Sequence, residues 1–147
     1  MTEIEKRQHW MSLLAKAPAA ELDRLWSALG LTPDYGYLRA PEAGGVMVRG
    51  RAGATGAPFN LGEMTVTRCS VKLSGGEVGH AYVQGRDKAH ATQAALIDAL
   101  MQTGQAAFVR EAVLEPLDEA QQAARAARAA KAAATKVDFF TMARGED

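Results

Sequence analysis

The sequence predicts an α+β domain that carries a helical arm. Three observations lead there. Apolar residues recur at helical spacing over the first thirty positions and again over 88–101. Between these stretches the period drops to two in short, β-branched runs. Beyond 117 the composition turns to alanine. A length of 147 residues suits one domain, so the expected division is a domain over 1–116 and an arm over 117–147.

Residues 3–16, EIEKRQHWMSLLAK, form the first predicted helix; Ile4, Trp10, Met11 and Leu14 can share a face and no glycine or proline interrupts them. Pro18 suits the first position of a second helix, where a missing N–H costs little. In AAELDRLWSALG, Leu22, Leu25, Trp26 and Leu29 fall at i, i+3, i+4 and i+7, and Gly30 offers a stop. Together these make an N-terminal helical hairpin, and LTPDYGY reads as the connection that follows it.

GVMVRGR is a short strand, with Val46 and Val48 on one face and Met47 and Arg49 on the other. AGATGAP is a loop, because small residues and a proline do not hold a strand. FNLGEMTVTRCSVKL is the longest strand-like run. Met64 and Val66 share one parity, and Cys69, Val71 and Leu73 share the other, which predicts a bulge near Thr67–Arg68. SGG over 74–76 is a hairpin turn, and EVGHAYVQG returns as the antiparallel partner. The expectation is a mainly antiparallel sheet of about four strands, covered on one face by the helical hairpin.

Asp87 caps the next helix, whose stripe is Leu96, Ile97, Leu100 and Met101. QAAFVREAVLEPL continues as a short helix stopped before Pro116. In residues 120–134 ten of fifteen positions are alanine, so the segment has high helix propensity and no large apolar side chain to bury. The adjacent Phe139 and Phe140 then make an interface arm the natural reading: a helix that leaves the body and docks on another subunit. Such an arm also offers the free chain a route to self-association.

Composition narrows the function. Seventeen basic and seventeen acidic residues cancel, and aromatics make up 6%, which argues against a nucleic-acid binder or a membrane-surface protein. One cysteine, Cys69, permits no internal disulfide. The opening MTEIEKRQHWM has no apolar signal core, and no apolar run approaches the ~20 residues of a membrane span. A cytoplasmic protein is expected. His9, His80, His90 and Cys69 lack paired metal-ligand spacing, so no metal site is assigned. No GxSxG elbow is present, and no catalytic residue is assigned. Five residues are candidates for contact with a phosphate or with a partner. Arg49 and Arg51 lead into the glycine-rich loop, Glu63 follows it and Arg68 lies on the next strand; Arg86 precedes a helix N-terminus. The loop lacks the GKS/T ending of a phosphate-binding P-loop. Glu63 fits best as an ion-pair partner of these arginines.

Four blocks carry a family resemblance: RAPE (39–42), VMVRGR with PFNLGE and TVTRC (46–69), GHAYVQGRD (79–87) and HATQAALIDALMQ (90–102). With RQHWMSLLAKA at 7–17 they resemble the PhnG family of the bacterial carbon–phosphorus lyase system, over residues 7 to about 105. Ala54 stands where the family pattern has glycine. The resemblance implies a subunit that assembles with PhnH-, PhnI- and PhnJ-type partners around a two-fold core. The complex takes ATP and methylphosphonate as substrates, methylphosphonate displacing adenine at the ribose anomeric carbon to give α-D-ribose 1-methylphosphonate 5-triphosphate. The resemblance assigns base displacement to PhnI and the later radical cleavage, with its iron–sulfur cluster, to PhnJ. It leaves this chain no bound cofactor and no agreed catalytic residue. The rival reading is a nucleotide- or phosphate-binding enzyme in its own right, built on the glycine-rich loop and the arginines.

Overall fold

The structure, a computed structural model, describes residues 1–51 and 56–145; the side chains of Asn60 and of 137–145 lie outside the description. The α+β class holds. Helices α1 (Glu3–Lys16) and α2 (Ala19–Leu29) lead into β1 (Tyr35–Arg51), β2 (Pro58–Leu73) and β3 (Val78–Gln84). Then come α3 (Lys88–Leu100), α4 (Ala106–Val109), a π-helical turn (Arg110–Leu114) and α5 (Glu115–Gly145).

The start of each helix follows from its sequence. Thr2 and Glu5 close a capping box on α1, and Asp87 caps α3 by accepting from the His90 N–H at 2.9 Å. Pro18 is the cap residue of α2 and not its first helical residue. Gly30 ends α2 in the left-handed conformation, as expected of a helix stop.

The sheet is antiparallel in the order β1-β2-β3. LTPDYGY is a connection only in its first half, since Tyr35–Tyr37 already pair with Val71–Leu73. Register irregularities between Tyr37 and Glu42, around Pro41, divide β1 into two segments; counted so, the sheet has four. The expected bulge at Thr67–Arg68 is absent: the register runs unbroken from Gly62 to Arg68 against β1 and from Val66 to Lys72 against β3. Both apolar sets of β2 belong to one regular strand, because both of its faces are used. Thr67, Cys69, Val71 and Leu73 enter the core, and Val66 is buried on the opposite face. Thr67 satisfies its hydroxyl by donating to the Gly85 carbonyl at 2.7 Å. The strand's real irregularity lies between Arg49 and Val48, where β2 inserts Leu61.

The core sits between the inner face of β2–β3 and α3. Val71, Val83 and Ile97 are fully buried, and each such side chain contributes roughly 1.5–3 kcal/mol. Helix α3 lies unusually close to β3 at Gly79, where a Cβ would collide with the Ala95 carbonyl and Ala99. Helix α1 packs on β3 and α3, whereas α2 packs on α3 and the π turn, so only one member of the helical hairpin covers the sheet directly. On α1, Leu13 and Leu14 are buried and Ile4 is exposed.

Pro116 does not stop the helix. A proline ring clashes with the carbonyl four residues back, and here the wide π turn ends immediately before it, with the Glu115 N–H bonded to the Arg110 carbonyl. Leu117 is buried and Gln121 donates to the Leu13 carbonyl at 2.9 Å. From Gln122 to Lys136 every residue of α5 is exposed.

Candidate functional site

Strand β3 ends opposite Val66. Beyond that point β1 and β2 run on alone as a two-stranded ribbon over 45–51 and 58–65. Isolated ribbons of this kind are marginally stable in water. This one also exposes Met47, Phe59 and Leu61, with Leu61 lying across Gly50. The loop at its tip, including Ala54, lies outside the described residues.

The ribbon carries three of the five candidate residues, Arg49, Arg51 and Glu63. Strand alternation puts Arg49 and Arg51 on the face of Met47. Glu63 pairs directly with Met47 and shares that face. Its carboxylate reaches back over Gly45, where a Cβ would collide with it. Among the described residues Glu63 forms no ion pair with an arginine. Arg68 has the opposite parity. It stands across from Glu42 and Tyr82, with its guanidinium 5.4 Å from the Tyr82 ring centroid. Arg86 is exposed in the turn between β3 and α3. Arg49, Arg51 and Glu63 therefore share one face, and Arg68 sits on the other. The backbone of 137–145 continues α5, while the side chains of Phe139 and Phe140 lie outside the described residues.

The histidines and the cysteine are tied into the fold. His90 bonds the Leu14 carbonyl through Nε2 at 2.8 Å, His80 Nδ1 lies 2.8 Å from Ser70 Oγ, and His9 lies 3.7 Å from Asp118. Burial pushes the Cys69 thiol up, against a smaller opposing pull from Thr92. Among the described residues no cluster of histidine, cysteine and carboxylate could hold a metal ion. No helix among them is long and apolar enough to cross a membrane.

Sequence reasoning missed the most heavily bonded polar group. Asp98 is fully buried within the apolar stripe of α3 and receives four hydrogen bonds. They come from Arg7 Nε (3.1 Å), Arg7 Nη2 (2.9 Å), Trp10 Nε1 (2.7 Å) and the His80 backbone N–H (2.9 Å). This clamp joins α1, α3 and β3, and the carboxylate raises the Arg7 pKa above its ordinary value. An aspartate at a core position of an amphipathic helix was the available signal, since a buried charge requires partners elsewhere in the chain.

The chain exposes 9613 Å². A globular monomer of 15.6 kDa exposes roughly 7,200 Å². A small α+β body with a projecting ribbon and a projecting helix is the form of an assembly component, with its excess surface gathered on two extensions.

The comparisons with known proteins agree with that form. The family model described as "Phosphonate metabolism protein PhnG" matches residues 5–145. A relative from Rhizobium meliloti (strain 1021), "Alpha-D-ribose 1-methylphosphonate 5-triphosphate synthase subunit PhnG", is 47% identical over 144 residues, covering 98% of this chain and 92% of its own length. The chain belongs to the PhnG family.

Proposed function

We propose that this chain is the PhnG-type subunit of an α-D-ribose 1-methylphosphonate 5-triphosphate synthase, active in phosphonate catabolism in the cytoplasm. It has no turnover of its own and serves as an assembly component. The observation that carries this reading is the surplus exposed surface, concentrated on the ribbon and on α5. Its partners are subunits of the PhnI, PhnJ and PhnH types, and the complex as a whole uses ATP and methylphosphonate without a cofactor bound to this chain. Arg49, Arg51 and Glu63 on one face of the ribbon, Arg68 on the opposite face of the sheet where β3 still pairs, and Arg86 in the turn after β3 then serve as partner contacts. The division of Arg68 from Arg49 and Arg51 between two faces favours this role over a single phosphate cradle. Helix α5, with Phe139 and Phe140 near its end, is the second docking element.

Co-expression with the neighbouring subunits tests the proposal. The chain is expected to co-purify with a tagged PhnI-type subunit. The purified chain alone is expected neither to hydrolyse ATP nor to release adenine. Adenine release by the isolated chain overturns the assembly role.

A further inference from the structure

Strand β3 is the last strand of the sheet, so one of its edges faces no other strand. The Gly85 N–H bonds the Thr65 carbonyl and the Leu73 N–H bonds the Glu77 carbonyl, with an unbroken register between them. Alternation then turns the N–H and C=O groups of Val78, His80, Tyr82 and Gln84 toward the free edge. The chain fills the first half of that edge with side chains. Gln102 Nε2 donates to the Val78 carbonyl at 2.8 Å and Arg7 Nη2 does so at 3.2 Å, while Asp98 accepts from the His80 N–H at 2.9 Å. These groups stand where the backbone of a further strand would. The second half has no such stand-in: among the described residues, the backbone groups of Tyr82 and the N–H of Gln84 meet no hydrogen-bond partner on that side. Edge strands are commonly blunted by proline, lysine or a bulge, and β3 carries none of these. Helix α1 runs beside the same edge and leaves a pocket of about 200 Å³, with Met11, Ser12 and Ala15 on the helix wall and residues 80–83 on the strand wall.

We infer that an extended segment of a partner subunit adds to the sheet here, pairing with β3 from Tyr82 onward and lying between that edge and α1. Only another extended backbone offers donors and acceptors at the spacing the edge presents; a helix has already spent its own. The Asp98 clamp sets where the pairing stops, because it holds the His80 N–H. Alternate residues of the added segment are aliphatic and enter the pocket against Met11 and Ala15. Those between them are polar and lie beside Tyr82 and Gln84, whose side chains are exposed. A second copy of this chain would bring its own α1 to the same place, whereas a lone segment brings no helix with it. The inference rests on the assembly role proposed above and names one contact that the assembly uses.

Amide hydrogen exchange tests this, read residue by residue on the free chain and on the complex co-purified with a tagged PhnI-type subunit. In the free chain the His80 amide is expected to be protected and the Tyr82 amide to exchange rapidly. In the complex the Tyr82 amide is expected to slow by about tenfold or more. Tyr82→Pro deletes the outward N–H and breaks no bond to β2. It is expected to leave the urea midpoint of the free chain nearly unchanged and to weaken partner binding about tenfold. Tyr82→Ala keeps the N–H and is expected to weaken binding less. Ser12→Phe fills the pocket from the helix side, leaves β3 untouched and is also expected to weaken binding. A Tyr82 amide equally fast in both states overturns the inference, and so does a Tyr82→Ala chain impaired as much as Tyr82→Pro. If Tyr82→Pro does not fold, a Ser12→Phe chain that binds as the parent does overturns it. Tyr82 protection that rises with the concentration of the free chain assigns the edge to a second copy and overturns the partner segment. Failure to co-purify removes the assembly role and this contact together, whereas co-purification with a fast Tyr82 amide removes this contact alone.

Discussion

Two stretches of the same β-sheet follow opposite rules. At its root, Thr67–Leu73 of β2 and the facing residues of β3 are pressed against α3, so alternate side chains are buried and the register is continuous. In the ribbon β2 runs on with β1 alone, without β3 and without a helix, and Met47, Phe59 and Leu61 stand in solvent. The chemistry of the residues hardly changes between them; what changes is whether this chain supplies the cover. The root is finished by its own α1 and α3, and the ribbon has no such cover among the described residues.

The comparison breaks most sharply at the Asp98 clamp. Asp98→Ala strips Arg7, Trp10 and the His80 N–H of a shared acceptor at the centre of the root. It is expected to cost about 3 kcal/mol, read from the urea midpoint of unfolding. Next comes the close approach at Gly79: Gly79→Val drives a side chain into the Ala95 carbonyl and should cost about 2 kcal/mol in the same measurement. On the ribbon the balance reverses. The triple change Met47→Ser, Phe59→Ser, Leu61→Ser is expected to shift the stability of the free chain by no more than about 0.5 kcal/mol per site and to abolish co-purification with the partner subunit. A large loss of stability in the free chain would show that the ribbon is held from within. The smallest effect belongs to the outer surface of the root, where Arg24 holds the Glu21 carboxyl below its ordinary value of 4.5. A depressed carboxyl stabilises the fold above its unfolded pKa and loses that contribution as pH falls through the folded one. Arg24→Ala is therefore expected to lower the thermal stability slightly at neutral pH, to leave it unchanged well below pH 4.5, and so to flatten the acid-side dependence of unfolding.

The helices were legible because their signals are local. An Asp87 cap, a Gly30 stop and the spacing of Leu22, Leu25 and Leu29 each lie within a few residues. What the sequence concealed depends on distant cover. Met64 and Val66 read as out of phase with Cys69 and Val71 only on the assumption that β2 has one buried face; Val66 is covered on the other side by the bent β1. Pro116 looked like a stop because a π turn is a property of the whole α4–α5 path and has no short signature. Of the candidate site, the residue types were visible and their grouping was not. Whether Arg68 shares a face with Arg49 depends on the parity of a long strand, and a single inserted residue near Thr67 would have reversed the outcome.

The uninterrupted course of α5 past Pro116 has a mechanical consequence. At 1.5 Å per residue, the stretch from residue 122 to 145 measures about 36 Å, a lever longer than the radius of the body that holds it. A tilt of 10° at its root, where Leu117 and Gln121 anchor it, would carry the tip about 6 Å. A slight repacking between α1 and α5 would thus be magnified into a displacement of atomic-contact size at the far end of the rod.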